Sequence, residues 1–261
     1  MKKVLLLVLS TILLTGCDTD FLSPSNSSKR KTKSSSSGIS ESAVRYKIGS
    51  LSSEEVEEIV LRAVEMEKNY MSSVVMVDDN GEITSGIQIT AYKNGYRLYE
   101  SVSQSGDETV TTKIVSYCPA NYSHVYWTRY DEENGDLSIS DYITDSFNDQ
   151  YIYAYGYGQI GANPAALVAC QSSIGMKERT FQSRDATCEK TNDHYIVSFK
   201  ANRMDDFEFS WKMTINSFGG LELLQMGIQG NEVSAGGYKT IFGEREEASQ
   251  KIINLFKDYQ N

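Results

Sequence analysis

The clearest pattern in the chain is the stretch Asp206-Phe207-Glu208-Phe209-Ser210-Trp211-Lys212-Met213-Thr214-Ile215. Every second side chain in it is apolar, and the side chains between them are polar. Neighbouring side chains of a β-strand point to opposite faces of the sheet, so this alternation predicts a strand with one buried face and one solvated face. Such half-buried strands are typical of antiparallel sheets, and the remainder of the chain supports that interpretation.

Strands of the same kind are predicted on both sides of this stretch. We expect them at 73–78, 83–93, 96–103, 109–117, 123–130, 137–143, 150–157, 179–187, 194–202, 221–229 and 232–242. The links between them contain turn residues, such as Asn94-Gly95 and Asn134-Gly135. Asn-Gly pairs accept the positive φ that tight hairpins require, so consecutive strands are expected to be antiparallel neighbours.

The predicted strand 150–157 is rich in tyrosine. Tyrosines occupy alternate positions 151, 153, 155 and 157, which on a strand would place all four rings on one face. Tyrosine offers a large contact area together with a hydroxyl group, so this face could line a ligand groove. The other interpretation is an edge strand whose rings pack and whose hydroxyls meet water.

Three helices are predicted around these strands. Ser52-Ser53-Glu54-Glu55 fits a capping box and is followed by apolar residues at helical spacing, with the intervening glutamates, including Glu67, interpreted as a solvated face. Asn163-Pro164 predicts the start of a short inserted helix, a candidate lid over the sheet. The segment 244–259 predicts an amphipathic C-terminal helix.

Together these elements predict an α+β fold for a single globular domain at residues 51–261. The expected sheet is an antiparallel β-meander, curved strongly or into a half-barrel, with an N-terminal helix, a short inserted helix and a C-terminal helix. About 210 residues are enough for one domain that buries roughly 70 % of its unfolded surface.

The N-terminus is a candidate export signal. Lys2 and Lys3 precede an apolar run that ends in Leu14-Thr15-Gly16-Cys17, which is the charged, apolar and small-residue order of a secretory signal. The run is shorter than the roughly 20 apolar residues that span a bilayer. Its last four residues resemble the lipobox of bacterial lipoproteins. The resemblance implies that residues 1–16 are removed, that Cys17 carries acyl groups, and that the protein is lipid-anchored on the extracytoplasmic side of a cell membrane. An ordinary signal peptide with a coincidental cysteine is the alternative.

Residues 17–50 are predicted to form a disordered stalk, since 11 of the 33 residues from 18 to 50 are serine and no apolar period is present. From residue 48 onward the chain has 17 basic and 32 acidic residues. Nucleic-acid binding depends on neutralising phosphates with lysine and arginine, so this acidic composition argues against it. The expected partner is the membrane, through the anchor on Cys17.

The chemistry-bearing residues predict a non-catalytic protein without a metal or cofactor. Motifs of serine hydrolases, nucleotide-binding loops and zinc proteases are absent from the sequence, and the histidines, His124 and His194, are about 70 positions apart. Three cysteines follow Cys17, namely Cys118, Cys170 and Cys188, so at most one disulfide can form among them. The shorter loop slightly favours a Cys170–Cys188 disulfide, but spacing alone leaves the pairing open.

The order of elements from residue 52 to 242 resembles the half-barrel of the lipoprotein carrier and receptor family known as LolA and LolB. That resemblance implies an apolar sheet face that binds acyl chains, with Phe207, Phe209, Trp211 and Met213 as candidates for its lining. The same side chains can equally pack under the helices as ordinary core. The function expected is therefore a non-catalytic binding domain for a lipophilic or small ligand, and the alternative is an envelope lipoprotein that docks a protein partner and holds no small ligand.

Overall fold

The structure is a computed structural model. The residues described are 43–105, 108–130, 139–142, 151–161, 163–177, 179–202 and 207–260. The predicted signal peptide, Cys17 and the predicted stalk up to residue 42 lie outside the described residues. Among the described helices, none combines the length and the apolar character that crossing a membrane demands.

The first helix, α1 (Ser53–Tyr70), begins at the predicted capping box. The Ser52 hydroxyl accepts the amide hydrogen of Glu55, and the Ser52 amide donates to the Glu55 carboxylate at 2.7 Å. These reciprocal bonds provide acceptors for backbone amides that have no intrahelical partner in the first turn. At the other end, the Arg245 guanidinium donates to carbonyl oxygens of the last turn and of the residue that follows it. A side chain from the far end of the sequence therefore fixes where α1 stops.

The described residues form twelve strands in one antiparallel sheet. They are β1 (Gly49–Ser50), β2 (Met71–Val77), β3 (Ile83–Ala91), β4 (Tyr96–Ser105), β5 (Glu108–Tyr117), β6 (Val125–Arg129), β7 (Ser140–Tyr142), β8 (Ser183–Thr191), β9 (His194–Asn202), β10 (Glu208–Asn216), β11 (Leu221–Ile228) and β12 (Gly237–Phe242). The predicted stretch at 206–215 is thus β10. Boundaries moved most at β8 and β12, which start later than the predicted strands at 179 and 232.

The sheet consists of two meanders that are joined side by side. Its strand order is β1-β8-β9-β10-β11-β12-β2-β3-β4-β5-β6-β7, and every neighbouring pair is antiparallel. The join lies where β12 pairs with β2. The sheet is open, with β1 and β7 at its two edges. The predicted α+β class with a curved antiparallel sheet is confirmed.

A helical hairpin occupies the region where the tyrosine-rich strand was predicted. It consists of α2 (Ile152–Gln159) and α3 (Pro164–Gln171), so the prediction of a strand at 150–157 is wrong, whereas the helix that starts at Pro164 is confirmed. Seven residues in a row, from 152 to 158, are buried. A helix buried on all sides has no polar face to mark a 3.6-residue period, and alternating tyrosines then imitate a strand.

Glycine allows the two helices of this hairpin to approach each other closely. A Cβ atom at Gly158 would lie 2.4 Å from Cβ of Cys170 and 2.6 Å from the carbonyl oxygen of Ala166. Any larger side chain there would push α3 away from α2, because interiors are already packed at crystal-like density.

Helices cover both faces of the sheet. The inner face is the one on which α1, α2 and α3 lie, and its apolar side chains form the main core. On the outer face, α4 (Gln250–Leu255) packs over β4 and β5 through Tyr96, Val115 and Tyr117. The predicted C-terminal helix at 244–259 is therefore shorter than expected. The preceding residues are used for other contacts, since Arg245 caps α1 and the Glu246 carbonyl accepts the amide hydrogen of Lys93.

The domain begins before the predicted boundary at residue 51. Gly49 and Ser50 pair with Cys188 and Thr187 at the edge of the sheet. The ring of Tyr46 packs edge-on against Tyr195, with the ring centroids 5.0 Å apart. Residues from about 43 onward thus belong to the domain, which shortens the stalk that the serine content predicted.

The favoured Cys170–Cys188 disulfide is not formed. Cys118, Cys170 and Cys188 are all buried free thiols. Cys170 lies on α3 in the hairpin, whereas Cys188 lies on β8 next to the sheet edge, so the short sequence separation did not bring the two sulfur atoms together.

Candidate functional site

The four residues predicted to line a ligand site lie on or next to β10. Phe209, Trp211 and Met213 are at most 2 % exposed and belong to the core beneath the helices, while Phe207 is half-buried. Phe209 stacks on Trp211, with ring centroids 5.2 Å apart, and tilts against Phe207 at 5.0 Å. Their neighbours in this structure are therefore core side chains. That they contact a ligand stays a prediction.

A groove of about 280 Å³ lies beside α1, where the start of α2 passes it. Its walls are Leu61, Arg62, Val64, Glu65, Lys68, Tyr151 and Tyr153. Pockets for small molecules usually measure about 300–1,000 Å³. This groove lies just below that range, so it has room for a very small molecule or for one end of a larger one. The β10 residues do not line it.

Tyr153 joins this groove to a buried polar network. Its hydroxyl oxygen accepts hydrogen bonds from Nη2 of Arg97 at 3.2 Å and from Nδ2 of Asn163 at 2.6 Å. Arg97 lies on β4 and Asn163 immediately precedes α3, and all three side chains are at most 2 % exposed. One hydroxyl group therefore connects α2 to the sheet and to the start of α3.

Arg97 is a buried cation whose direct partners are neutral. Nη1 donates to the carbonyl oxygen of Tyr96 at 3.0 Å, and Nε has no acceptor among the described residues. The guanidinium carbon lies 5.3 Å from the ring centroid of Tyr157, a cation–π distance. Within the described part of the chain, no carboxylate oxygen lies within 4.0 Å of the guanidinium nitrogens. Buried charges are normally paired, so this arrangement is unusual and marks a functional-site candidate.

Glu67 is the second buried charged residue of the network. It is 1 % exposed, and its carboxylate accepts the amide hydrogen of Ala165 in the first turn of α3 at 2.7 Å. Burial raises the pKa of Glu67 to about 7, although the Ala165 amide, Asn163 and Arg97 act in the opposite direction. The carboxyl group is therefore partly protonated at neutral pH, and it ties α1 to the helical hairpin.

The interpretation of Glu67 as part of a solvated helix face is wrong. The other glutamates of that predicted face, Glu54, Glu57, Glu58 and Glu65, are half-buried or exposed. A signal was present, because Glu67 follows Val60, Ala63 and Val64 at the spacing of the apolar stripe. A charged residue on the buried stripe of a helix indicates a polar partner inside the fold.

The thiols and imidazoles are poor candidates for chemistry. Burial raises the pKa values of Cys118 and Cys170 to about 12, which keeps both thiols protonated. His124 stacks on Tyr126, as expected for a residue packed among aromatics, and His194 at the start of β9 pairs with Glu222 at 2.9 Å. No group of three or more metal-ligating side chains is brought together in the described segments.

Comparisons with protein-family models, with curated proteins and with solved structures each found no match to this chain.

Proposed function

We propose that this chain is a membrane-anchored extracytoplasmic binding protein that holds a lipophilic ligand between its sheet and the helical hairpin α2–α3. The observation that carries the proposal is the hairpin itself. Its residues from 152 to 158 and from 164 to 171 are all buried and mostly apolar, and it covers the inner face of an open sheet. Beneath it, aromatic and aliphatic side chains form one continuous apolar surface.

The manner in which the hairpin is attached supports this role. Polar bonds hold its edge: Glu67 to Ala165, Arg97 to Tyr153, and the Tyr157 hydroxyl to the Gly95 carbonyl oxygen at 3.2 Å. Its other contacts with the sheet are largely apolar. Hydrophobic contacts have no fixed direction, so an acyl chain can replace those made by the hairpin at a modest net cost.

The N-terminal sequence supports the location. Two or more acyl chains on Cys17 would hold the protein stably at a bilayer, because each buried methylene contributes about 0.8 kcal/mol. The predicted stalk would place 25 residues between Cys17 and Ala43 as a tether. A flexible chain of that length spans about 25–30 Å on average, which leaves the domain free to meet lipids at the surface.

We expect Cys17→Ser to abolish lipid anchoring. The wild-type chain should incorporate a palmitate analogue and sediment with membranes, whereas the variant should do neither, because serine offers no thiol for the thioether bond. Metabolic labelling followed by membrane fractionation measures both properties. Labelling of the variant at the wild-type level would contradict the anchor.

We expect a brominated fatty acid to quench the fluorescence of Trp211. The chain has two tryptophans, and Trp211 is 1 % exposed beneath the helices. In a chain with Cys17→Ser and Trp127→Phe, all tryptophan fluorescence comes from Trp211. Without the lipid anchor, this chain can be studied in the absence of detergent. Bromine quenches only at contact, so saturable quenching of Trp211 places the ligand against the inner face of the sheet. The matched reporter carries Trp211→Phe and keeps Trp127, which is half-buried on β6.

The unbrominated fatty acid serves as the control for indirect changes in emission. Trp127 also packs against the core on the inner face. Equal emission with the two acids in both reporters would therefore contradict a ligand beneath the hairpin. If no fatty acid binds, the alternative function, docking of an envelope protein, would explain the anchored domain better.

A further inference from the structure

The groove beside α1 is locally basic in a domain that is strongly acidic. Its walls hold Arg62 and Lys68 against a single carboxylate, Glu65. Behind the Tyr153 wall lie the buried guanidinium of Arg97 and the buried carboxyl group of Glu67. The Lys68 side chain is only 14 % exposed, with its ammonium 3.6 Å from Glu65 and 3.5 Å from the ring centroid of Tyr122. A partly dehydrated ammonium acts on a nearby anion more strongly than one in open water.

Tyr153 brings a phenol to the wall of the same groove. Its oxygen already accepts two N–H groups, one of them from a guanidinium, so its own hydrogen points in a third direction. Among the described residues, none accepts that hydrogen. Burial raises the pKa of Tyr153, which keeps the phenol neutral and able to donate.

We propose that this groove binds a ligand with a carboxylate or phosphate group on an apolar body, and that Tyr153 and Lys68 hold the anionic group. Arg97 strengthens the donor by polarising the Tyr153 hydroxyl, and its own positive charge gains the counter-ion that its direct contacts lack. Leu61 and Tyr151 provide contact area for the apolar part of the ligand.

This inference rests on the proposed function, because it names the chemistry of the ligand that the domain holds. The anionic group has two possible sources. It is either the head of a single-chain lipid whose tail lies under α2–α3, or part of a small molecule that fits the groove alone. A volume of about 280 Å³ takes a head group and its first few carbons but not a long chain, so the two sources differ in what must move.

The test is calorimetric titration of the full chain carrying Cys17→Ser with decanoate, decanol and phenylacetate. We expect decanoate to bind at least tenfold more tightly than decanol. Tyr153→Phe should lower the ratio of decanoate to decanol affinity about tenfold, since a hydrogen bond to a charged group is lost. Tyr157→Phe is the matched control, because that buried tyrosine lies one turn further along α2 and does not line the groove.

A variant that binds more tightly cannot be explained by loss of folding, so it complements Tyr153→Phe. Glu65→Gln removes the one carboxylate of the groove and should tighten decanoate binding about two- to fivefold, with no change for decanol. Equal affinity for decanoate and decanol, or equal effects of Tyr153→Phe and Tyr157→Phe, would overturn the anion site. Tyr153-dependent binding of phenylacetate without quenching of Trp211 would keep the anion site and remove the lipid. Quenching of Trp211 without any preference for decanoate over decanol would keep the bound lipid and reject the anion site.

Discussion

Replacing Glu67 with glutamine is expected to raise the free energy of unfolding by about 3 kcal/mol at pH 8.5, and by only about 1 kcal/mol at pH 5.5. Burial raises the pKa of Glu67 to about 7 in the fold, against 4.5 for an ordinary glutamate. Between these values the unfolded chain releases its proton before the folded chain does, so stability falls as the pH rises. Glutamine keeps the size of the protonated acid and its hydrogen bond with Ala165, and it removes the titration.

Chemical denaturation of both proteins from pH 5.5 to 8.5 measures this difference above the sequence pI of 4.8. Glu65→Gln is the matched control, because Glu65 lies two residues earlier on α1 and forms a partly exposed ion pair with Lys68. Its effect should stay below about 1 kcal/mol throughout. Parallel pH profiles for Glu67→Gln and the wild type would show that the Glu67 carboxyl is not buried in the solution structure.

Truncating Trp211 is expected to destabilise the domain by about 3–5 kcal/mol, because it removes the largest fully buried side chain of the core and leaves a cavity. For a domain of this size, the thermal midpoint should fall by about 6–20 °C. Trp211→Phe should cost less, since the indole nitrogen has no partner among the described residues and phenylalanine still fills much of the site.

Phe218→Ala provides the comparison for Trp211→Ala. Phe218 sits in the turn between β10 and β11 and is 47 % exposed, so its loss should change the free energy of unfolding by less than about 0.5 kcal/mol. Thermal denaturation of the three variants measures the series. A loss below 1 kcal/mol for Trp211→Ala would mean that α1, α2 and α3 do not pack on the sheet in solution.

Part of the candidate site could be predicted from the sequence and part could not. The apolar face of β10 was predicted residue by residue, because a period of two depends on the strand alone. Glu67 was assigned to solvent although its position on the apolar stripe was visible. The groove could not be predicted, because Lys68 and Tyr153 are 85 positions apart and line one groove only because the hairpin packs on α1 through α3.

Two predictions failed for the same physical reason. The alternating tyrosines of 151–157 favour a strand locally, but burial on all sides stabilises a helix there by satisfying its backbone hydrogen bonds internally. The cysteines at 170 and 188 are close in sequence, yet their separation in space depends on where the hairpin ends and where β8 starts. In both cases tertiary packing outweighs the local preference.

The sequence by itself determined the elements whose signals are local. These are the capped helix α1, most strands of the antiparallel sheet with their turns, the helix at Pro164, and the α+β class. Tertiary structure alone decided how these elements combine: the pairing of β12 with β2, the helical hairpin on the inner face, and the buried network of Glu67, Arg97 and Tyr153. Local signals arise from backbone geometry over a few residues, whereas these features depend on contacts between residues tens of positions or more apart, whose energies no short stretch contains.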